Sequence, residues 1–184
     1  MKARSLGHRV WEIENALPQE DLDLLLTLAK TSEEPLWYSD KVPDYWRGKV
    51  IMAVELLIQD KSTENFMDNL NAKLESIFDR AKSVLAVSSI IRYTPGESMD
   101  VHQDNVEAHD ADNVFGLVLY LNDDYIGGEI YYPELGLEIK PKANSILIHY
   151  AGLKHGVKEV TSGVRYVITS FIKGDETTSI RESI

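Results

Sequence analysis

The chain has 184 residues, 43% of them hydrophobic and 27% charged, which suits one compact domain and is short for two. A net charge of −11, from 19 basic against 30 acidic residues, disfavours nonspecific binding to nucleic acid or to an anionic membrane. With no cysteine there are no disulfides, no thiolate catalysis and no sulfur ligation, so any metal must be held by His, Asp or Glu.

No apolar run approaches the roughly 20 residues that cross a bilayer, and Met1-Lys2-Ala3-Arg4-Ser5 leads into polar residues, so a soluble, cytoplasmic protein is expected. Residues 8–14 alternate, with Val10, Trp11 and Ile13 as inward candidates, and read as an opening strand; His8 in it is a surface or packing histidine. Over residues 15–30 the period changes to that of a helix. Pro18 suits its first turn, Glu20, Asp21 and Asp23 suit the positive end of the dipole, and Leu22, Leu25, Leu26 and Ala29 form the buried stripe. Residues 31–48 lose any period and gain Trp37, Tyr38, Tyr45 and Trp46, either a loop packed on the core or one wall of a cleft.

Residues 49–58 are apolar and fit a strand or a helix equally. Ser62 caps a second predicted helix, in which Phe66, Leu70, Leu74, Ile77, Phe78 and Ala81 recur at helical spacing up to Lys82. Strands then follow one another at 84–93, 99–103, 114–121, 129–133, 137–139, 145–149, 157–160 and 164–172. Turn residues such as Pro95-Gly96, Gly127-Gly128 and Ser162-Gly163 separate them, and no helix intervenes. The fold class is therefore mainly β with supporting helices, an antiparallel double-sheet jelly roll with the N-terminal helices packed on one sheet. Residues 1–83 form the support, 84–173 the core, and 174–184 a polar tail expected to fray.

His102 and Asp104 lie one residue apart beyond the Pro95-Gly96 turn. If residues 99–104 are extended, both side chains share a face, where one ion meets an imidazole and a carboxylate. By itself a His-x-Asp pair is more often a surface hydrogen bond. A third ligand would come from a distant strand, and His149 and His155 are the candidates. His149 ends the apolar run Ser145-Ile146-Leu147-Ile148 and suits packing at a sheet edge; His155 opens a strand, and Gly156 beside it would leave room for a metal. Arg165, on the last long strand, carries the guanidinium suited to bidentate capture of a carboxylate. Thr169, four residues on, shares its face. His109 is read as a surface histidine within the segment 105–113, a possible substrate lid with 31–48.

The set Arg92-Tyr93-Thr94-Pro95-Gly96, His102-Gln103-Asp104, Leu119-Tyr120-Leu121-Asn122, Gly127-Gly128-Glu129, Lys140-Pro141-Lys142, His155-Gly156-Val157 and Arg165-Tyr166 resembles the Fe(II)- and 2-oxoglutarate-dependent oxygenases of the prolyl 4-hydroxylase type. The resemblance covers roughly residues 84–173. It implies a double-stranded β-helix holding Fe(II) on His102, Asp104 and His155, with Arg165 on the distal carboxylate of 2-oxoglutarate. Tyr93 and Tyr120 would line the cosubstrate pocket, and Thr169 would add a hydroxyl. The implied reaction uses O2, with ascorbate as an optional reductant, and decarboxylates 2-oxoglutarate to succinate and CO2 while hydroxylating a prolyl residue of a peptide or protein. Arg165 stands where many collagen-type members have lysine, and Asp104 argues against a halogenase. A free amino acid or small metabolite is the alternative substrate, and a noncatalytic cupin-like metal- or ligand-binding module the alternative function. Asp100, Asp104, Glu107, Asp110, Asp112 and Asp123-Asp124 read as a solvated acidic rim before an attractant for a basic peptide. A nucleic-acid substrate is disfavoured because there is no basic stripe.

Overall fold

The computed structural model describes residues 3–33, 46–52, 62–82, 89–106 and 110–181, although not the side chains of 50–52 and 62–68. The elements are β1 (Arg4–Gly7), β2 (Val10–Ile13), α1 (Gln19–Thr31), β3 (Lys49–Met52), α2 (Ser62–Glu75), β4 (Phe78–Asp79), β5 (Ser89–Tyr93), β6 (Met99–His102), β7 (Asn113–Tyr120) and β8 (Ile126–Gly127). They continue with β9 (Ile130–Tyr132), β10 (Leu137–Ile139), β11 (Ile146–Tyr150), β12 (His155–Val157), β13 (Val160–Ser162), β14 (Arg165–Lys173) and β15 (Ser179–Ile180).

Seven strands form a major sheet in the order β1-β2-β11-β7-β14-β5-β3, and four form a minor sheet, β10-β9-β12-β6. Strand alternation divides the major sheet cleanly. Ile13, Ile90, Leu117, Leu119, Ile146, Ile148 and Ile168 face outward and pack with Leu22, Leu25 and Ala29 of α1 and Leu70 and Leu74 of α2. Ile91, Tyr93, Val118, Tyr120, Leu147 and Val167 face inward and meet Met99, Ile130, Tyr132 and Val157 of the minor sheet. Every residue of β7 is buried because both of its faces are covered. This is the double-stranded β-helix with helices laid on one sheet.

Several boundaries differ from the sequence pattern, each for a local reason. The opening strand is half of a hairpin, β1 with β2, whose turn places His8 and Arg9 at positive φ. Helix α1 starts after Pro18, which sits at the N-cap and offers no side-chain cap; the entry is held instead by Asn144, which accepts from Leu17 N and donates to Leu17 O, both at 2.9 Å. The second helix ends at Glu75, short of Lys82, because Ile77 and Phe78 leave the helical path to enter the core while Phe78–Asp79 pairs with β15. That pairing overturns the expected fraying of the tail through residue 181: Arg181 Nε donates to Asp79 Oδ1 at 2.6 Å, and Thr178 and Ile180 are buried. The open question at 49–58 resolves as strand for Lys49–Met52, with 53–58 outside the described residues. Outside them too lie His109, Tyr38, Tyr45 and most of the candidate lid segments. Among the described residues, no helix is long and apolar enough to cross a membrane.

Candidate active site

Strands β6 and β12 run antiparallel with His102 opposite His155 and Met99 opposite Val157. One residue separates the β12 partners and two separate the β6 partners, so β6 carries one extra residue. That bulge allows Met99 and His102, which strict alternation would send to opposite faces, both to point inward. Asp104 follows in a turn anchored by Asp104 N donating to Ala151 O at 2.9 Å. The convergence expected of an extended 99–104 segment is therefore reached through a bulge and a turn.

The ligand-type atoms of His102, Asp104 and His155 lie within 4.8 Å of one another. Asp104 Oδ1 is 3.4 Å from His102 Nε2 and 3.7 Å from His155 Nε2. His102 Nδ1 faces Asp100 O at 3.0 Å, and His155 Nδ1 faces Leu153 O at 2.9 Å. A carbonyl only accepts, so each Nδ1 carries hydrogen and each Nε2 lone pair is aimed at the common centre. Burial, joined by the neighbouring His149 and His102, lowers the His155 pKa to about 3 against the opposing pull of Asp104, which keeps the ring neutral as ligation requires. Burial would raise the Asp104 pKa, but the neighbouring His155, His102 and His149 outweigh it and hold the carboxyl far below its usual range. Two neutral imidazoles and one carboxylate on one side of a centre are a donor set suited to Fe(II) with open positions opposite.

These groups open into a cavity of about 110 Å³ between the sheets, also lined by Tyr93, Arg165, Thr169 and Trp46. Arg165 is 2% exposed. Its Nη2 donates to Tyr120 Oη at 3.3 Å, and its guanidinium carbon lies 5.1 Å from the ring centres of both Tyr93 and Tyr120. Arg165 Nε has no hydrogen-bond partner, and among the described residues no carboxylate pairs with this buried cation. Arg165 pairs with Tyr93 across β14 and β5, and Val167 with Tyr120 across β14 and β7, so the cluster follows from register.

Thr169 reaches the same cavity, Trp46 forms part of its wall, and Arg47 instead makes an exposed ion pair with Asp100 at 3.0 Å. His8 is exposed. Two expectations need correction. His149 is not at a sheet edge: β11 lies between β2 and β7, and the ring is 1% exposed beside Asp104. Gly156 does not clear space for a metal, since a Cβ there would approach Met99 O at 2.8 Å and the Tyr131 ring at 2.9 Å. The acidic rim is solvent-exposed at Asp112 and Asp123 as expected, with Asp112 paired to Lys173 at 2.7 Å and Asp123 accepting from the Ala143 amide at 3.2 Å.

Tyr125 went unread in the sequence. It is 3% exposed, and burial pushes its pKa up to about 12 against the pull of Arg165, which stands beside its hydroxyl. Lys140, which donates to Tyr125 O, lies 4.3 Å above its ring. Gly128 (φ +69) gives both side chains room, since a Cβ there would meet Arg165 Cδ and Tyr125 Cε2 at 3.0 Å.

Residues 88–173 match the family described as the 2OG-Fe(II) oxygenase superfamily. Residues 88–173 carry that superfamily's oxygenase domain. The protein is a 2-oxoglutarate-dependent dioxygenase, with Fe(II) and 2-oxoglutarate as cofactor and cosubstrate. Among solved structures, the viral collagen prolyl hydroxylase of Paramecium bursaria Chlorella virus-1, in its 2-oxoglutarate complex, is similar at 20% identity and TM-score 0.59, covering 92% of this chain and 98% of that one. A Pseudomonas putida prolyl-4-hydroxylase is similar at 17% identity and TM-score 0.65, covering 91% and 94%. HygX from Streptomyces hygroscopicus, with nickel and 2-oxoglutarate bound, is similar at 11% identity and TM-score 0.62, covering 92% and 84%. These likenesses bear on the fold. No curated protein matches the chain significantly.

Proposed function

We propose that this oxygenase hydroxylates a prolyl residue in a peptide or protein, with His102, Asp104 and His155 ligating the iron and Arg165 binding the distal carboxylate of 2-oxoglutarate. The observation that carries the cosubstrate assignment is the buried Arg165 cation with no carboxylate partner among the described residues. Sequestering a charge without compensation is costly, so this end of the cavity favours an anion. Arg165 Nε, which is unpartnered, supplies a donor to it, and the Tyr120 and Tyr125 hydroxyls stand beside the guanidinium. When bound, Fe(II) and 2-oxoglutarate supply the oxygen chemistry, in which O2, the keto acid and a C–H bond become succinate, CO2 and an alcohol.

The chain's own residues orient the cosubstrate between two poles: the ligand cluster at one end and the guanidinium, closed in by Tyr93, Tyr120 and Tyr125, at the other. Val118, Ile130 and Val167 exclude water between them. The prolyl substrate is supported by the structural likeness to two prolyl hydroxylases, and Trp46 at the cavity wall offers a ring surface to a chain laid across the mouth. The test is turnover by purified protein with Fe(II) and ascorbate. Succinate should form, and proline-containing peptides should gain the mass of one oxygen atom while free proline does not. His102→Ala and Asp104→Ala should stop both products. Oxygen incorporation into free proline alone would replace the peptide reading, and wild-type turnover in those variants would remove the ligand assignment.

A further inference from the structure

We infer that His149 is a positioning residue that holds the Asp104 carboxylate to single-oxygen ligation, with Tyr132 setting its tautomer and Gly116 giving it room. The inference rests on the reading of His102, Asp104 and His155 as the metal ligands. The two oxygens of Asp104 are engaged differently. Oδ1 faces the Nε2 atoms of His102 and His155, whereas Oδ2 sits 3.0 Å from His149 Nε2. His149 comes from the opposite wall, the inner face of β11 in the major sheet, while the ligand histidines come from the minor sheet.

An ionised carboxylate accepts only, so His149 Nε2 carries the hydrogen. In the neutral ring Nδ1 is then an acceptor, and its partner is the Tyr132 hydroxyl at 3.1 Å. Tyr132 is 1% exposed, and a buried phenol keeps its proton, which it donates to Nδ1. A chain of donors thus runs Tyr132 to His149 to Asp104, crossing from one sheet to the other and back. With Oδ2 occupied in this way, Asp104 offers Oδ1 alone to the metal. A free carboxylate would rotate toward two-oxygen ligation and use a position that cosubstrate or oxygen needs.

Gly116 makes the contact possible. It lies opposite His149 across β7 and β11, and a Cβ at this position would stand 2.5 Å from both Asp104 Oδ2 and His149 Nε2. Its φ is not positive, so the requirement for glycine is one of space and not of backbone conformation. No other residue type leaves the oxygen and nitrogen free to meet.

The test is Co(II) titration of metal-stripped protein, read by affinity and by the visible ligand-field spectrum. His149→Phe keeps the ring volume and deletes the donor; it should weaken Co(II) binding about 10–100-fold, the usual cost of losing a ligand's hydrogen-bond partner. Tyr132→Phe, which removes one oxygen atom, should act in the same direction by a smaller factor. His149→Gln restores an N–H donor at similar reach and should recover most of the affinity and the wild-type spectrum. Should His149→Phe not fold, Tyr132→Phe and His149→Gln carry the test. Wild-type affinity and spectrum in His149→Phe or Tyr132→Phe would overturn the inference, and so would failure of His149→Gln to rescue. His102→Ala keeps the two readings apart. If it binds Co(II) like wild type, the ligand assignment fails; if it loses binding while His149→Phe does not, only the positioning role fails.

Discussion

Replacing Arg165 by methionine separates the cost of burying a cation from its use. In the wild type the guanidinium is 2% exposed, makes one long hydrogen bond to Tyr120 at 3.3 Å and leaves Nε unpartnered. Exchanging a poorly compensated buried charge for an apolar side chain of similar length is typically neutral or stabilising, so the ligand-free variant should melt at or slightly above the wild-type temperature. Losing a buried charge pair with a ligand carboxylate costs about 2–5 kcal/mol, which is roughly 30-fold to several-thousand-fold in Kd. The assay is thermal unfolding of Mn(II)-loaded protein with and without 2-oxoglutarate. At 100 times its Kd the ligand should stabilise wild type by about 2.7 kcal/mol, or about 5–11 °C for a domain of this size. At the same concentration a 30-fold weaker variant gains only about 0.9 kcal/mol. An undiminished shift in Arg165→Met would refute the anion-pole reasoning, and a large drop in its ligand-free melting temperature would refute the claim that the cation is uncompensated.

Two further outcomes test the frame that carries the site. Asn144→Ala removes both side-chain hydrogen bonds to Leu17 and places alanine at φ +64, so unfolding should become easier by about 2–4 kcal/mol, read as a fall of roughly 4–16 °C in Tm; a change under 2 °C would show that α1 is held without it. Truncation after Lys173 deletes β15 and the Arg181–Asp79 pair and exposes Phe78, so the melting temperature should drop and amide exchange around 77–80 should accelerate. Unchanged exchange there would mean that β4 does not depend on the tail.

The sequence by itself determined the chemistry available: with no cysteine, a spaced His-x-Asp, a distal histidine and one strand arginine leave a nitrogen and oxygen metal site and a carboxylate anchor as the coherent reading. It also determined which residues of one strand share a face, because two-residue alternation is local and puts Arg165 and Thr169 on the same side of β14. The tertiary structure decided what depends on register between distant segments. The extra residue in β6 that turns both Met99 and His102 inward is visible only against β12. Tyr125 becomes part of the anion pole only once the Gly127-Gly128 turn folds back on Arg165. His149 read as a packing residue because a histidine ending an apolar run has no sequence mark for what faces it. Its function rests on an antiparallel pairing that sets it opposite Gly116, and on Tyr132 and Asp104 arriving from the other sheet. Ligand identity is carried by side-chain type, which sequence records; ligand orientation is carried by contacts between segments far apart in the chain, which only packing creates.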